Sequence, residues 1–192
     1  MRNTTRITLF LGTLFFSSAA LAHPGHDLSG IGAGLLHPLL GIDHLLAMVA
    51  VGLWAAQGGG HRIWLLPATF VAMLTAGAGI ALHWPSLPMV ETGIAASVLA
   101  LGLLVSLSLR LPIGLSMLAT TIFGLLHGYA HGMELPASAH PASYALGFLT
   151  ATLALHLSGV TIGVFSRQRA LALARGLGVA IMASGAYLLV AA

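Results

Sequence analysis

Six apolar runs follow one another along this chain, at residues 31–56, 63–82, 90–109, 111–133, 143–165 and 170–190, with no joint long enough to hold a soluble domain. Each run is long enough to cross a hydrocarbon core of about 30 Å as a helix. The polar residues needed to cover a globule in water are missing. Of 192 residues, 58% are hydrophobic and only 6% are charged, against about a quarter charged in a soluble domain. The short alternating segments of a β-barrel are absent too. The fold class expected is all-α: a polytopic membrane protein of six transmembrane helices.

Residues 1–22 read as a cleavable signal peptide. Arg2 and Arg6 precede an apolar core from residue 7 to 16, and Ala20-Leu21-Ala22 is an A-x-A cleavage site. Residues 23–192 then form a single six-helix domain that starts at His23-Pro24-Gly25-His26-Asp27. If the signal exports that end, the first, third and fifth joints face the cytoplasm. With the adjoining helix ends they hold Arg62, Arg110, Arg167, Arg169 and Arg175, every arginine of the mature chain. That is the positive-inside pattern, so both mature termini are expected in the periplasm and the protein in the bacterial inner membrane.

The basic pI of about 10.2 comes from seven arginines against four acids. Their scatter between apolar runs fits membrane topology, not a nucleic-acid surface. Lysine is absent, which excludes a Walker A loop. Cysteine is absent, which excludes thiolate metal sites and disulfides. What stands out is ten histidines beside four acids, because imidazole suits borderline metals such as nickel, cobalt and zinc.

Two clusters hold most of that chemistry. The first run carries His37-Pro38-Leu39-Leu40-Gly41-Ile42-Asp43-His44. His37 and His44 would share a face of an ideal helix, and Asp43 would not. Pro38 and Gly41 make an ideal helix unexpected here, and a broken helix can redirect side chains to one point. The fourth run ends in His127-Gly128-Tyr129-Ala130-His131-Gly132-Met133-Glu134, whose i, i+4, i+7 spacing puts His127, His131 and Glu134 on one stripe. His127 would lie about 10 Å of helix rise deeper than Glu134. With the expected topology both clusters occupy the periplasmic half, at overlapping depth. Ionisable groups at such depth usually face a bundle interior or a water-filled path. His37, Asp43, His44, His127, His131 and Glu134 are therefore read as one metal site, against the alternative of separate capping or packing roles.

The remaining histidines are weaker candidates. His23 and His26 could capture ions at the periplasmic mouth or be incidental to a terminus. His156, in the middle of the fifth run, is either a buried imidazole bonded to a carbonyl or a second ligand station. His61, His83 and His140 are read as loop residues, and Glu91 as a solvated start of the third run. Met48 and Met117 are assigned to packing, as is the Gly159/Gly163 pair.

The paired motifs, His37-x5-Asp43-His44 and His127-Gly-Tyr-Ala-His131-Gly-Met-Glu134, resemble those of the HupE/UreJ family of nickel and cobalt permeases. The likeness spans the mature chain, from the His-Pro-Gly-His start through six runs in order. One departure is Leu126, where the family often has phenylalanine before the first histidine of the second motif. The resemblance implies a secondary permease, not an enzyme, with Ni²⁺ or Co²⁺ as cargo and no prosthetic group. Its partners would be inner-membrane lipid and the divalent ion, with no nucleic acid; a homo-oligomer is left open. The residues alone reach only a divalent-metal site in the outer half of a six-helix bundle. They leave two other readings open: an intramembrane metal-dependent hydrolase, and a haem- or metal-binding accessory subunit.

Two outcomes follow. Mass spectrometry of the membrane-inserted protein should find His23 as its first residue. A reporter fused after Arg169 should behave as cytoplasmic and one fused after Pro88 as periplasmic; the reverse at either position would refute the topology.

Overall fold

The computed structural model describes residues 30–84, 87–135, 139–169 and 171–191, and these form seven helices with no strand among them. They are α1 (Ile31–Leu40), α2 (Ile42–Gly58), α3 (Arg62–Ala81), α4 (Val90–Ser106), α5 (Ile113–Met133), α6 (Pro141–Arg169) and α7 (Leu171–Ala191). The expected signal peptide, His23 and His26 lie outside the described residues.

The boundaries follow the apolar runs closely, with one departure that matters. The first run is two helices, α1 and α2, bent by 84° at a break on Gly41. Pro38 cannot donate to the carbonyl of Gly34, and Gly41 adopts extended geometry (φ −82°, ψ 106°), so helical bonding is interrupted there. Helices α3, α5, α7 and the stretch Pro141–Ser166 of α6 are each long and apolar enough to cross a membrane alone. The bent pair counts as a fifth candidate, and α4, with 17 residues, is a shorter apolar helix.

Glycine sets how the helices pair. Between α3 and α5, a Cβ on Gly128 would run into the carbonyl of Leu74, and one on Gly77 into the carbonyl of Leu125. The backbones therefore touch directly, as small residues permit in membrane bundles. The same kind of contact joins α2 to α6, where Gly52 meets the carbonyl of His156 and Gly159 that of Val49. It also joins α4 to α7, where Gly102 meets Met182. The registers make α3 parallel to α5 and α2 parallel to α6, with α4 antiparallel to α7. Successive long helices thus reverse direction, and Arg62, Arg110 and Arg175 all fall at one end of the bundle.

Helix α2 is the hub. From Ala50 to Gln57 it is buried on every face, the pattern of a helix enclosed by others. Met48, Leu53, Phe70, Leu74, Val98, Leu101, Phe148 and Ile181 form the core around it. The outer faces are apolar as well. Trp64 near the arginine end, and Trp84 and Tyr187 near the other, are exposed, which suits anchoring at two membrane–water interfaces. At the arginine end, the turn between α4 and α5 is tied to its neighbours. Trp54 Nε1 donates to the carbonyl of Leu109 (2.9 Å), Gln57 Nε2 to that of Val105 (3.0 Å) and Arg62 to that of Leu111 (2.6 Å).

Close packing at glycine predicts opposite effects of the same substitution. Gly128→Ala must push apart α3 and α5 and should destabilise the protein by about 1–3 kcal/mol. A Cβ on Gly176, in α7, meets no atom within 4 Å. Gly176→Ala should therefore stabilise it by about 0.5–1 kcal/mol through the lower entropy of the unfolded chain. Thermal unfolding of the purified protein in detergent checks both.

Candidate metal centre

The break at Gly41 builds one wall of the site. His37 lies in the last turn of α1, and Asp43 and His44 in the first turn of α2. The three side chains converge across the bend, as a broken helix allows, and not along one face of a straight helix. Gly41 is needed at that corner, since a Cβ there would press on Asp43 Oδ1 at 3.1 Å and His44 Nδ1 at 3.2 Å. Helix α5 supplies the facing wall: His127 and His131 from its last two turns and Glu134 just past its end.

All six residues of the two motifs gather. His37 Nε2 lies 2.9 Å from Glu134 Oε2, and His131 Nδ1 lies 3.5 Å from the same oxygen. One ligand atom from each of His37, His131 and Glu134 lies within 4.8 Å of the other two. The ring of His44 is 3.9 Å from that of His131 and 4.7 Å from that of His127, centroid to centroid. His37, Asp43, His44, His131 and Glu134 line a cavity of about 200 Å³, and His127 sits behind it, fully buried. The imidazoles of His131 and His37 hold the Glu134 carboxyl well below the usual carboxylate range.

The hydrogen bonds fix which ring nitrogens are free. One oxygen of Asp43 accepts from both the backbone N–H of His44 (2.8 Å) and its Nδ1 (2.7 Å). His44 Nδ1 therefore carries the proton, and Nε2 keeps its lone pair. That Nε2 is buried without a partner. His127 is fixed by Ser97 on α4. Ser97 Oγ donates to the carbonyl of Ile94 (2.7 Å), so it must accept from His127 Nε2 (2.8 Å), which leaves Nδ1 of His127 bare and buried. His131 Nε2 is likewise buried without a hydrogen-bond partner. A bare lone pair in a dry setting costs about 1–3 kcal/mol. Three of them in touching rings suit a cation, and a carboxylate or hydroxyl on the far nitrogen is the usual way such ligands are oriented.

Four neighbours of the site were not assigned to it by the sequence reading. Ser97 orients His127, and its only signal is a hydroxyl in the middle of an apolar run. Glu91, read as merely solvated, lines the same cavity as the two motifs. Tyr144 and Phe148 of α6 pack their rings against His37 (5.7 and 6.2 Å) and close the wall beside His131. His156, His83 and His61 stand apart. His156 is buried deeper along α6, in ring contact with Phe70. His83 is bonded to the carbonyl of Gly79 and exposed. His61 is exposed at the arginine end, far from the cluster.

Comparison with known proteins places the whole chain in a family. The family profile described as HupE / UreJ protein matches residues 11–188. Protein HupE of Rhizobium leguminosarum bv. viciae is 41% identical over 187 residues, covering 97% of this chain and 98% of that protein. No solved structure matches. A profile match over nearly the whole chain, joined to a relative of this identity and coverage, makes the protein a member of the HupE/UreJ family.

Proposed function

We propose that this protein is a permease that admits Ni²⁺ or Co²⁺ to the cell across the inner membrane. The bent pair α1–α2 acts as one span and α4 as another, giving six. The metal centre opens to the periplasm and the arginine end lies in the cytoplasm, as the positive-inside pattern favours. The observation that supports transport most is the convergence of four imidazoles and two carboxylates from two helix systems, with three of the imidazoles each burying at least one unpaired ring nitrogen. Nitrogen and oxygen donors without thiolate suit nickel and cobalt and disfavour Cu(I). The choice of those two metals rests on the family. Asp43 and Glu134, the carboxylates a hydrolase would need as a base, are each engaged by histidine, which favours holding an ion over acid–base work.

Uptake of radioactive nickel and cobalt by proteoliposomes tests this directly. His44→Ala or His131→Ala should each cut uptake at least about tenfold, and Asp43→Asn by about 10–100-fold through loss of ligand orientation. The double variant His44→Ala/His131→Ala should be little worse than either single one, because both act on one site. His61→Ala should be nearly silent. Near-normal uptake by either single histidine variant would break the joint site.

The pH dependence has a defined sign. An imidazole binds metal only when neutral, and its ordinary pKa is about 6.5. Glu134, held low by its two histidines, stays ionised throughout that window. Uptake should therefore fall as external pH drops below about 6.5. Glu134→Gln should lower uptake at every pH.

A further inference from the structure

Helix α6 carries polar residues on two faces, and the two faces treat their hydrogen bonds differently. On the outer face Thr150, Ser158 and Thr161 are exposed, and each hydroxyl donates to the carbonyl four residues earlier at 2.7–2.8 Å. That is how a helix settles a hydroxyl in an apolar setting. On the inner face Thr152 Oγ1, His156 Nε2 and Ser166 Oγ have no hydrogen-bond partner, although all three residues are at most 1% exposed. Burial alone does not explain this. Thr120 of α5 is equally buried and bonds to the carbonyl of Ser116 at 2.8 Å.

The open groups form a line. At 100° per residue, Thr152, His156 and Ser166 fall within about 80° of one another around α6, together with Gly159 and Gly163. His156 Nδ1 lies 2.9 Å from the carbonyl of Thr152. A carbonyl only accepts, so Nδ1 holds the proton and Nε2 presents a lone pair. Measured along their helices, His127 sits about 9 Å inside the metal-centre end of α5, and His156 about 22 Å inside that end of α6. The ring of Phe70 touches both, with centroids 5.7 Å from His127 and 5.2 Å from His156.

We propose that this stripe is an inner station of the ion path: His156 Nε2, with the unpartnered hydroxyl of Thr152 one turn away on the same helix face, takes a divalent first-row cation passed on from the outer centre. The assignment rests on the transport reading above. It makes the permease a two-site path, with one cation site in the outer half and a second near mid-membrane. Unlike the outer site, the inner one has no carboxylate, so it holds the ion more weakly and lets it leave toward the arginine end.

The test uses the full purified chain in detergent with NiCl₂ as the probe, read by equilibrium dialysis, and the same proteins in liposomes for uptake. Wild type should bind two ions per chain, one weakly. His156→Asn should bind one, with the affinity of the tighter site unchanged, and its uptake should fall at least tenfold. Retention of the tight site shows that this variant is folded. Thr152→Val, which keeps shape and removes the hydroxyl, should lower uptake severalfold at unchanged tight-site affinity. Two ions bound by His156→Asn, or uptake within twofold of wild type, would overturn the inner station and leave the outer centre standing. No ion bound by wild type, or two still bound by His131→Ala, would instead overturn the outer centre, and the station with it.

Discussion

A helix that turns through 84° inside an apolar bundle must find partners for the backbone groups it uncouples, because hydrocarbon supplies none. At Gly41 the solution is also the origin of the site. The N–H of His44, freed by the break, is taken by the Asp43 side chain, and the same oxygen takes the imidazole proton. The acid sits in the first turn of α2, where the helix dipole favours negative charge. One carboxylate thus caps a helix and fixes a tautomer. Without the break, Asp43 would face away from His37. Without Asp43, the break would leave a donor unpaired and the His44 ring free to turn.

The rest of the centre is assembled by helices that do not themselves bend. The α3–α5 contact at Gly128 places the His127–His131 stripe, and the α2–α6 contact brings Phe148 and Tyr144 to its side. Polar groups are unevenly shared between the two ends of the bundle. At the metal-centre end, nitrogen and oxygen atoms face a cavity. At the arginine end, Trp54, Gln57 and Arg62 spend their donors on the carbonyls of the α4–α5 turn. The side chains there close the bundle by bonding to backbone, where those at the other end bond mainly to one another and leave several ring nitrogens unpaired.

Much of this was legible in the amino-acid order. The apolar runs gave the helices to within a few residues, and the two histidine motifs named six side chains that the fold brings together, while Glu91 on the same cavity went unassigned. Pro38 and Gly41 announced a break. Its angle was not legible, because the bend depends on how α1 rests on α6 through Gly34 and Gly147, more than a hundred residues apart in sequence. Ser97 was invisible for a related reason: its partner His127 is thirty residues away, and one serine in an apolar run carries no pattern of its own. Helix α4 stops at Ser106, short of the expected 109, because Ser108 turns to φ 53° and the following carbonyls are captured by Trp54 and Arg62.

The glycine contacts also limit how the molecule can move. Where two backbones touch with no side chain between them, neither helix can roll or slide without its next Cβ striking a carbonyl. The pairs α3–α5, α2–α6 and α4–α7 are ribs that move, if at all, as units. Freedom is left at the seams between ribs, and the metal centre lies on one of them, with α2 and α6 on one side and α5 on the other. A shift of one rib against the next would spread or close the candidate ligands without unpacking any helix pair, so the stiffness of the pairs confines motion to the place where those side chains meet.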